Sequence, residues 1–352
     1  MNSLNRLREV WPLDERRSRA PHSALWHELS RFAGRDAAEV LFREPHADAK
    51  FLKPFLNAVT LADDNVKAWE DVDDDFTAAV LLYYGTLWLG NAVAFTTLSG
   101  EQLSKREAAH GLEVAFEFRS SSPLLEARIN TGRGTQAFGT INAAFGGASL
   151  SGQTFQVRDF LEAIPELRHS LPHARLRPRV IEAVWTGDVP GDDYLDEALR
   201  SFPNIEVDIQ DHVPSGPGWI RDNIAVGAYL IEQGGSDAIF VDNRITWDRA
   251  SVNGSVRSPE DELLATTIVH DGRRFFLPTI KQTAISEYAI YLAVMYAISV
   301  AARYSPDYWI EMQRERTVEY FLVREFLELA EDKVPMLALN HLRRTTFIFN
   351  SL

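Results

Sequence analysis

Apolar positions fall into two long blocks separated by a stretch of short alternations. Residues 76–98, FTAAVLLYYGTLWLGNAVAFTTL, are apolar nearly all the way round a helical period. A helix with no polar face must be surrounded by protein, so this run predicts a central helix. The acidic stretch before it, ADDNVKAWEDVDDDF, sets Asp73 to Asp75 at the positive end of the dipole, as a solvated helix start does. Carboxylates this close in sequence point around a helix instead of converging on a metal. Residues 1–60 are helical in pattern but broken by Pro12, Pro21, Pro45 and Pro54.

After residue 112 the period changes. LEVAFEF alternates apolar and polar residues, as a half-buried strand does. RGTQAFGTINAAFGGASLSGQTFQV is rich in Gly, Thr and Ser and predicts strands and loops, and VRDFLEAIPEL a short helix ending near Pro165. RPRVIEAVWTG, IEVDIQ, NIAVGAYLIEQ, DAIFVDNRITW and TTIVHDGRRFFLP are short runs of β-branched and aromatic residues, the last with a hairpin signal at Asp271-Gly272. The second apolar block opens at 284. It predicts one helix stopping at Tyr304 before Pro306, a second ending before Pro335, and a third starting at that proline. There is no internal repeat.

The whole is an α+β pattern: an N-terminal helical region at 1–112, a β-rich middle at 113–280, and a C-terminal helical region at 281–352 expected to pack on the N-terminal helices. Composition adds bounds. The 352 residues are 45% hydrophobic and 24% charged, an ordinary balance for a packed core. A net charge of −14 disfavours nucleic acid, which binds basic surfaces. With no cysteine, thiolate chemistry, disulfides and Cys-based metal sites are excluded, and a reducing, cytoplasmic location is expected. The charged N-terminus carries no signal-peptide pattern. The most membrane-like segment, 284–304, contains Glu287 and Arg303 and reads as a buried helix.

No HExxH, GxSxG, Walker loop or EF-hand occurs, the glycine-rich stretch lacks a phosphate-binding lysine, and neither a cofactor nor a metal is expected. Nine histidines are dispersed; His22 and His27 stand five apart, and Pro172 interrupts His169 and His173, which stand four apart. Metal-independent ribonucleases pair an arginine that stabilises phosphate charge with a histidine that shuttles a proton. Arg168/His173 and Arg17/His22 have the Arg-x4-His spacing, each with proline just before the histidine. SKREAAHGL, following the central helix, offers Lys105, Arg106 and His110; only Lys105 has the four-residue gap. The structural alternative is a helix end, with His110 at the negative dipole end and Gly111 as a left-handed cap. Arg303 and Tyr304 with Trp309 suit a clamp for a planar anion, or Arg303 caps its helix and pairs with Asp307. Asn340 and His341 lie beside apolar Leu337, Leu339 and Leu342, as a satisfied, partly buried pair or as part of a ligand site.

LLYYGTLWLGNAVAF followed by HGL, then QTFQVRDFLEAIPEL, AARYSPDYW and VPMLALNHL, in that order across most of 76–342, resemble the YaaC-like family of bacterial proteins. That resemblance implies no particular chemistry. The tyrosine-rich helix with its His-Gly step also resembles, over about forty residues, the HEPN domains of toxins and antiviral ribonucleases, with a departure at Lys105 and Arg106. Three functions are expected from these readings: a non-enzymatic interaction or regulatory subunit, binding a protein partner or itself, in a stress or phage-defence assembly; a dimeric HEPN-like ribonuclease; or an enzyme acting on a small ligand or nucleotide, with Arg303 and His341 at its cleft.

Overall fold

The structure is a computed structural model that describes residues 21–43, 47–72, 74–117, 122–185, 204–209, 239–241, 244–248, 267–270, 273–276 and 278–343. Near the N-terminus come α1 (Pro21–Ser30), α2 (Arg35–Leu41) and α3 (Leu52–Glu70). The predicted central helix is α4 (Asp75–Thr97). Asp74 caps it by accepting from the Thr77 amide at 2.8 Å, so the acidic run does mark a helix start, although its first half closes α3. α5 (Gly100–Ser104) comes next, opened by a capping box between Ser99 and Gln102.

Three short antiparallel strands lie beyond it, β1 (Leu112–Ala115), β2 (Arg128–Thr131) and β3 (Thr154–Gln156), in the order β1-β2-β3. Between the last two lies α6 (Ala137–Ala144), and β3 runs into α7 (Val157–Leu161). A second sheet, order β6-β7-β5-β4-β9-β8, is wholly antiparallel: β4 (Ile181–Trp185), β5 (Asn204–Ile209), β6 (Ile239–Val241), β7 (Arg244–Asp248), β8 (Thr267–His270) and β9 (Arg273–Phe276). Four of the five predicted middle runs supply its strands. The fifth, NIAVGAYLIEQ, and the Asp271-Gly272 turn lie outside the described residues, while the pairing of His270 with Arg273 brackets that turn. The chain ends in α8 (Glu287–Tyr304), α9 (Pro306–Arg314) and α10 (Val318–Arg343).

Helices from both ends of the chain share one core. α4 packs on α3, α6, α8 and α10, and α1 packs on α10. At the α4–α8 crossing the Tyr288 hydroxyl donates to the Thr86 carbonyl at 2.7 Å, giving a buried phenol its partner. Among the described residues, the helix with the length and hydropathy of a membrane span is α4, not the 284–304 segment that the sequence singles out; 72% of its apolar window is buried inside the protein.

Three boundaries differ from expectation. The glycine-rich stretch forms α6, because Gly139 lies against the Gly134 backbone: a Cβ there would sit 2.6 Å from the Gly134 carbonyl oxygen. α10 runs straight through Pro335 instead of restarting there. An internal proline costs a helix about 3 kcal/mol, and the burial of Val334, Pro335, Ala338 and Leu339 in the core offsets it. The break comes earlier, between α9 and α10, where Arg316 takes a left-handed φ of 48°.

Candidate functional site

The segment 105–111 is not a helix end. α5 stops at Ser104, and the chain continues as a loop strapped to the start of α6. The Phe138 amide donates to the His110 carbonyl at 3.0 Å, Ala137 to Ala109 at 2.9 Å, and Gly132 to Gly111 at 2.8 Å. The first two bonds satisfy orphan amides at the helix start, and all three hold the loop in place. The dipole role for His110 therefore falls away. Gly111 is left-handed as expected, with φ of 78°, but as the residue leading into β1. Its Cβ position lies 2.8 Å from Cβ of Gln136, so Gly111→Val meets both a forbidden φ and a clash. Thermal unfolding should register a loss of about 1–3 kcal/mol.

The three polar candidates of this loop diverge. Lys105 pairs with Glu101 at 2.7 Å on the surface. Arg106 turns back onto α4, donating to the buried Asn91 side chain at 2.6 Å, with its guanidinium 5.2 Å from the Phe95 ring. Its Nε is buried with no partner among the described residues, and burial lowers its pKa. His110 instead meets Tyr83, with Nδ1 2.8 Å from the phenol oxygen. Tyr83 and Asn91 are eight residues apart on α4, about 12 Å along its axis. The arginine and the histidine of SKREAAHGL thus attach to different turns of the same helix.

The groups gathered around His110 come from elsewhere in the chain. Its ring centroid lies 6.2 Å from that of Tyr83, 6.4 Å from Tyr84 and 6.4 Å from Tyr296 on α8. Arg303, next to the last residue of α8, donates through Nη1 to the Tyr84 hydroxyl at 3.0 Å. It also caps the helix through Nε to the Ser299 carbonyl at 3.1 Å. Its guanidinium stands 5.6 Å from the Tyr84 ring and 5.2 Å from the Tyr304 ring. Capping was expected; a pair with Asp307 is absent among the described residues. Tyr304 itself is 72% exposed.

Electrostatics decide what this cluster can do. Burial pushes the Tyr83 phenol up, with the Tyr296 and Tyr84 hydroxyls adding to it. Burial also lowers the His110 pKa, and the Arg303 charge lowers it further. Near neutral pH Tyr83 keeps its proton, and in the tautomer that lets it donate, Nδ1 of a neutral imidazole accepts. The histidine proton is then on Nε2. The cluster presents hydrogen-bond donors and aromatic faces, and its one basic nitrogen is already occupied.

The remaining candidates lie apart. Trp309 is 2% exposed, part of the core and not of a clamp. His341 packs its ring 4.3 Å from Phe145, which stacks on Tyr288 at the start of α8. Tyr288 and Arg303 are fifteen residues apart, about 22 Å of helix, so His341 and Arg303 lie toward opposite ends of α8. Asn340 sits with His341 on α10. Arg168 donates to its neighbour His169 at 3.0 Å, and His173 is exposed. Arg17 and the side chain of His22 lie outside the described residues. No group of three or more His, Asp or Glu able to hold a metal occurs among the described residues.

Sequence reading missed Tyr83, Tyr84, Tyr296 and Ser299 as members of the site. The available signal was polar-tipped aromatics on helices otherwise wholly apolar, since a buried phenol requires a partner. A family model described as YaaC-like Protein matches residues 41–342. No curated protein and no solved structure matches the chain.

Proposed function

The chain belongs to the YaaC-like protein family, and from that premise we propose that it is a non-catalytic binding protein, a regulatory or interaction subunit. It works through the surface where α4, the 105–111 loop and the end of α8 meet. One observation carries this reading: the residues a ribonuclease would need side by side are separated and engaged. Arg106 is held by Asn91, and the acceptor nitrogen of His110 is filled by Tyr83. Proton abstraction requires a free basic nitrogen within reach of the substrate. Recognition requires only directed donors and faces, which Arg303, Nε2 of His110 and Tyr304 supply.

A cytoplasmic stress or phage-defence assembly, with a protein partner or a second copy of the chain, is the setting in which such a subunit would act; the local HEPN resemblance is its support. The ribonuclease reading keeps one point in its favour. Arg303 and His110 both flank the Tyr84 ring, so an arginine does stand near the histidine, from a different helix than expected. The enzyme reading built on Arg303 with His341 has no such support.

The test is incubation of purified protein with mixed single-stranded and structured RNA, followed on gels, with His110→Ala beside it. Neither protein should cleave RNA above buffer alone. His110→Ala should lose about 1 kcal/mol of stability, because Tyr83 exchanges one partner for water. Cleavage by the wild type that disappears in His110→Ala at unchanged melting temperature overturns the proposal.

A further inference from the structure

A guanidinium carries five N–H groups. In Arg303, Nε is used by the Ser299 carbonyl, one Nη1–H by the Tyr84 hydroxyl and one Nη2–H, at 3.4 Å, by the Ser299 hydroxyl. One N–H on each Nη is left over. Two donors on one planar group form the fork that matches two oxygens of a phosphate or carboxylate. No carboxylate among the described residues takes it: Arg303 makes no ion pair there. The donors left on Arg303 are therefore open to an anion from outside.

Two further features narrow the anion. Tyr304 lies against the guanidinium at 5.2 Å, yet 72% of its surface is open, so a broad aromatic face adjoins the fork. Aromatic rings and arginine planes are the surfaces on which nucleobases stack. Beside Tyr84, Nε2–H of His110 offers a third donor. A single fork accommodates a single phosphate, and the chain's net charge repels a polyanion.

We propose that the Arg303–Tyr304–His110 surface binds a mononucleotide, its phosphate on the Arg303 fork and its base on the Tyr304 ring. The proposal rests on the binding reading above and supplies its ligand class. The full-length protein would be titrated at low salt with a nucleoside 5′-monophosphate, the matching unphosphorylated nucleoside, inorganic phosphate and a short oligonucleotide. Calorimetry would report binding, and product analysis would report turnover.

The monophosphate should bind saturably and remain unchanged, and the nucleoside, phosphate and oligonucleotide should each bind at least roughly tenfold more weakly. Arg303→Ala should weaken the monophosphate roughly tenfold or more, with Arg303→Lys recovering only part because it restores charge without the fork. Tyr304→Ala, a surface change that leaves the helix cap intact, should weaken the monophosphate but not inorganic phosphate. Saturation of wild type and Tyr304→Ala with equal affinity overturns the inference, as does no saturation by the monophosphate up to about 10 mM. A bound monophosphate that is converted to product leaves this inference standing and overturns the non-catalytic reading instead.

Discussion

Lys333→Ala should cost the fold about 3–5 kcal/mol, a large part of what a domain has. Lys333 sits on α10 inside the protein, with its side chain 11% exposed, and pairs with Glu166 and, at 3.7 Å, with Glu287 in the first turn of α8. The Tyr291 hydroxyl, buried near both carboxylates, has no hydrogen-bond partner among the described residues. Burial alone would lower the Lys333 pKa, but Glu166 and Glu287 together hold it above its ordinary value. Burial pushes Glu287 up to about 7 despite the nearby ammonium. Removing that ammonium takes away the charge that Glu166 and Glu287 share.

The pH dependence has a definite sign. A carboxyl whose pKa is raised in the folded state adds stability that is complete below its unfolded value of 4.5 and is lost as pH rises through about 7. Without Lys333 the Glu287 carboxyl takes up its proton still more readily, so the destabilisation should be largest above pH 7 and shrink toward pH 5. Replacing all three residues by apolar ones of similar size, Lys333→Met with Glu166→Leu and Glu287→Leu, should recover most of the loss, because no charge then needs solvation. Urea melts of the three proteins at pH 5 and pH 8 check this. Equal losses at both pH values would show that the cost comes from lost packing and not from uncompensated charge.

The helical frame was readable because single local rules governed it. α4 is apolar on every side, so no placement but the centre suits it, and Asp74 supplies its cap from the residue before it. The strands of the six-stranded sheet were readable from β-branched runs of the right length. Where reading failed, a distant contact had overruled the local preference. Gly139 and its small neighbours read as loop, but they form a helix because the Gly134 backbone fits against them. Pro335 reads as a stop, but burial carries the helix through it. The site failed in the same way. Arg303 and His110 are each legible as chemistry-bearing residues, 193 positions apart, yet nothing local says that both flank one tyrosine ring. Conversely, Arg106 and His110 look like a pair because they are close in sequence, and the turn of the loop separates them.

A single side chain from the stretch read as loop should prove nearly as important as Lys333. Asn142, fully buried on α6, donates through its side-chain amide to the Ala148 carbonyl at 2.7 Å. Its side-chain oxygen accepts from the Ser286 amide at 2.8 Å, at the residue that caps α8. Gly147 lets the backbone approach this amide, since a Cβ there would lie 2.2 Å from the Asn142 oxygen. One side chain thus joins α6, the loop after it and the entry to the helix that carries Tyr296 and Arg303. Asn142→Ala leaves a buried donor and a buried acceptor unmet at about 1–3 kcal/mol each, so the expected loss is about 2–5 kcal/mol. Asn142→Asp keeps the acceptor for Ser286; in the same melts it should fall between wild type and Asn142→Ala at pH 5, where a protonated carboxyl still donates to Ala148, and lose that advantage at pH 8, where ionisation puts a charge into a fully buried site. Near-ultraviolet circular dichroism of the folded protein should change in Asn142→Ala and stay near wild type in Asn142→Asp at pH 5, because the entry angle of α8 sets where Arg303 meets Tyr84. A melting temperature within about 2 °C of wild type for Asn142→Ala would mean that water or the neighbouring backbone satisfies both groups, and that α8 is positioned by its apolar contacts with α4 alone.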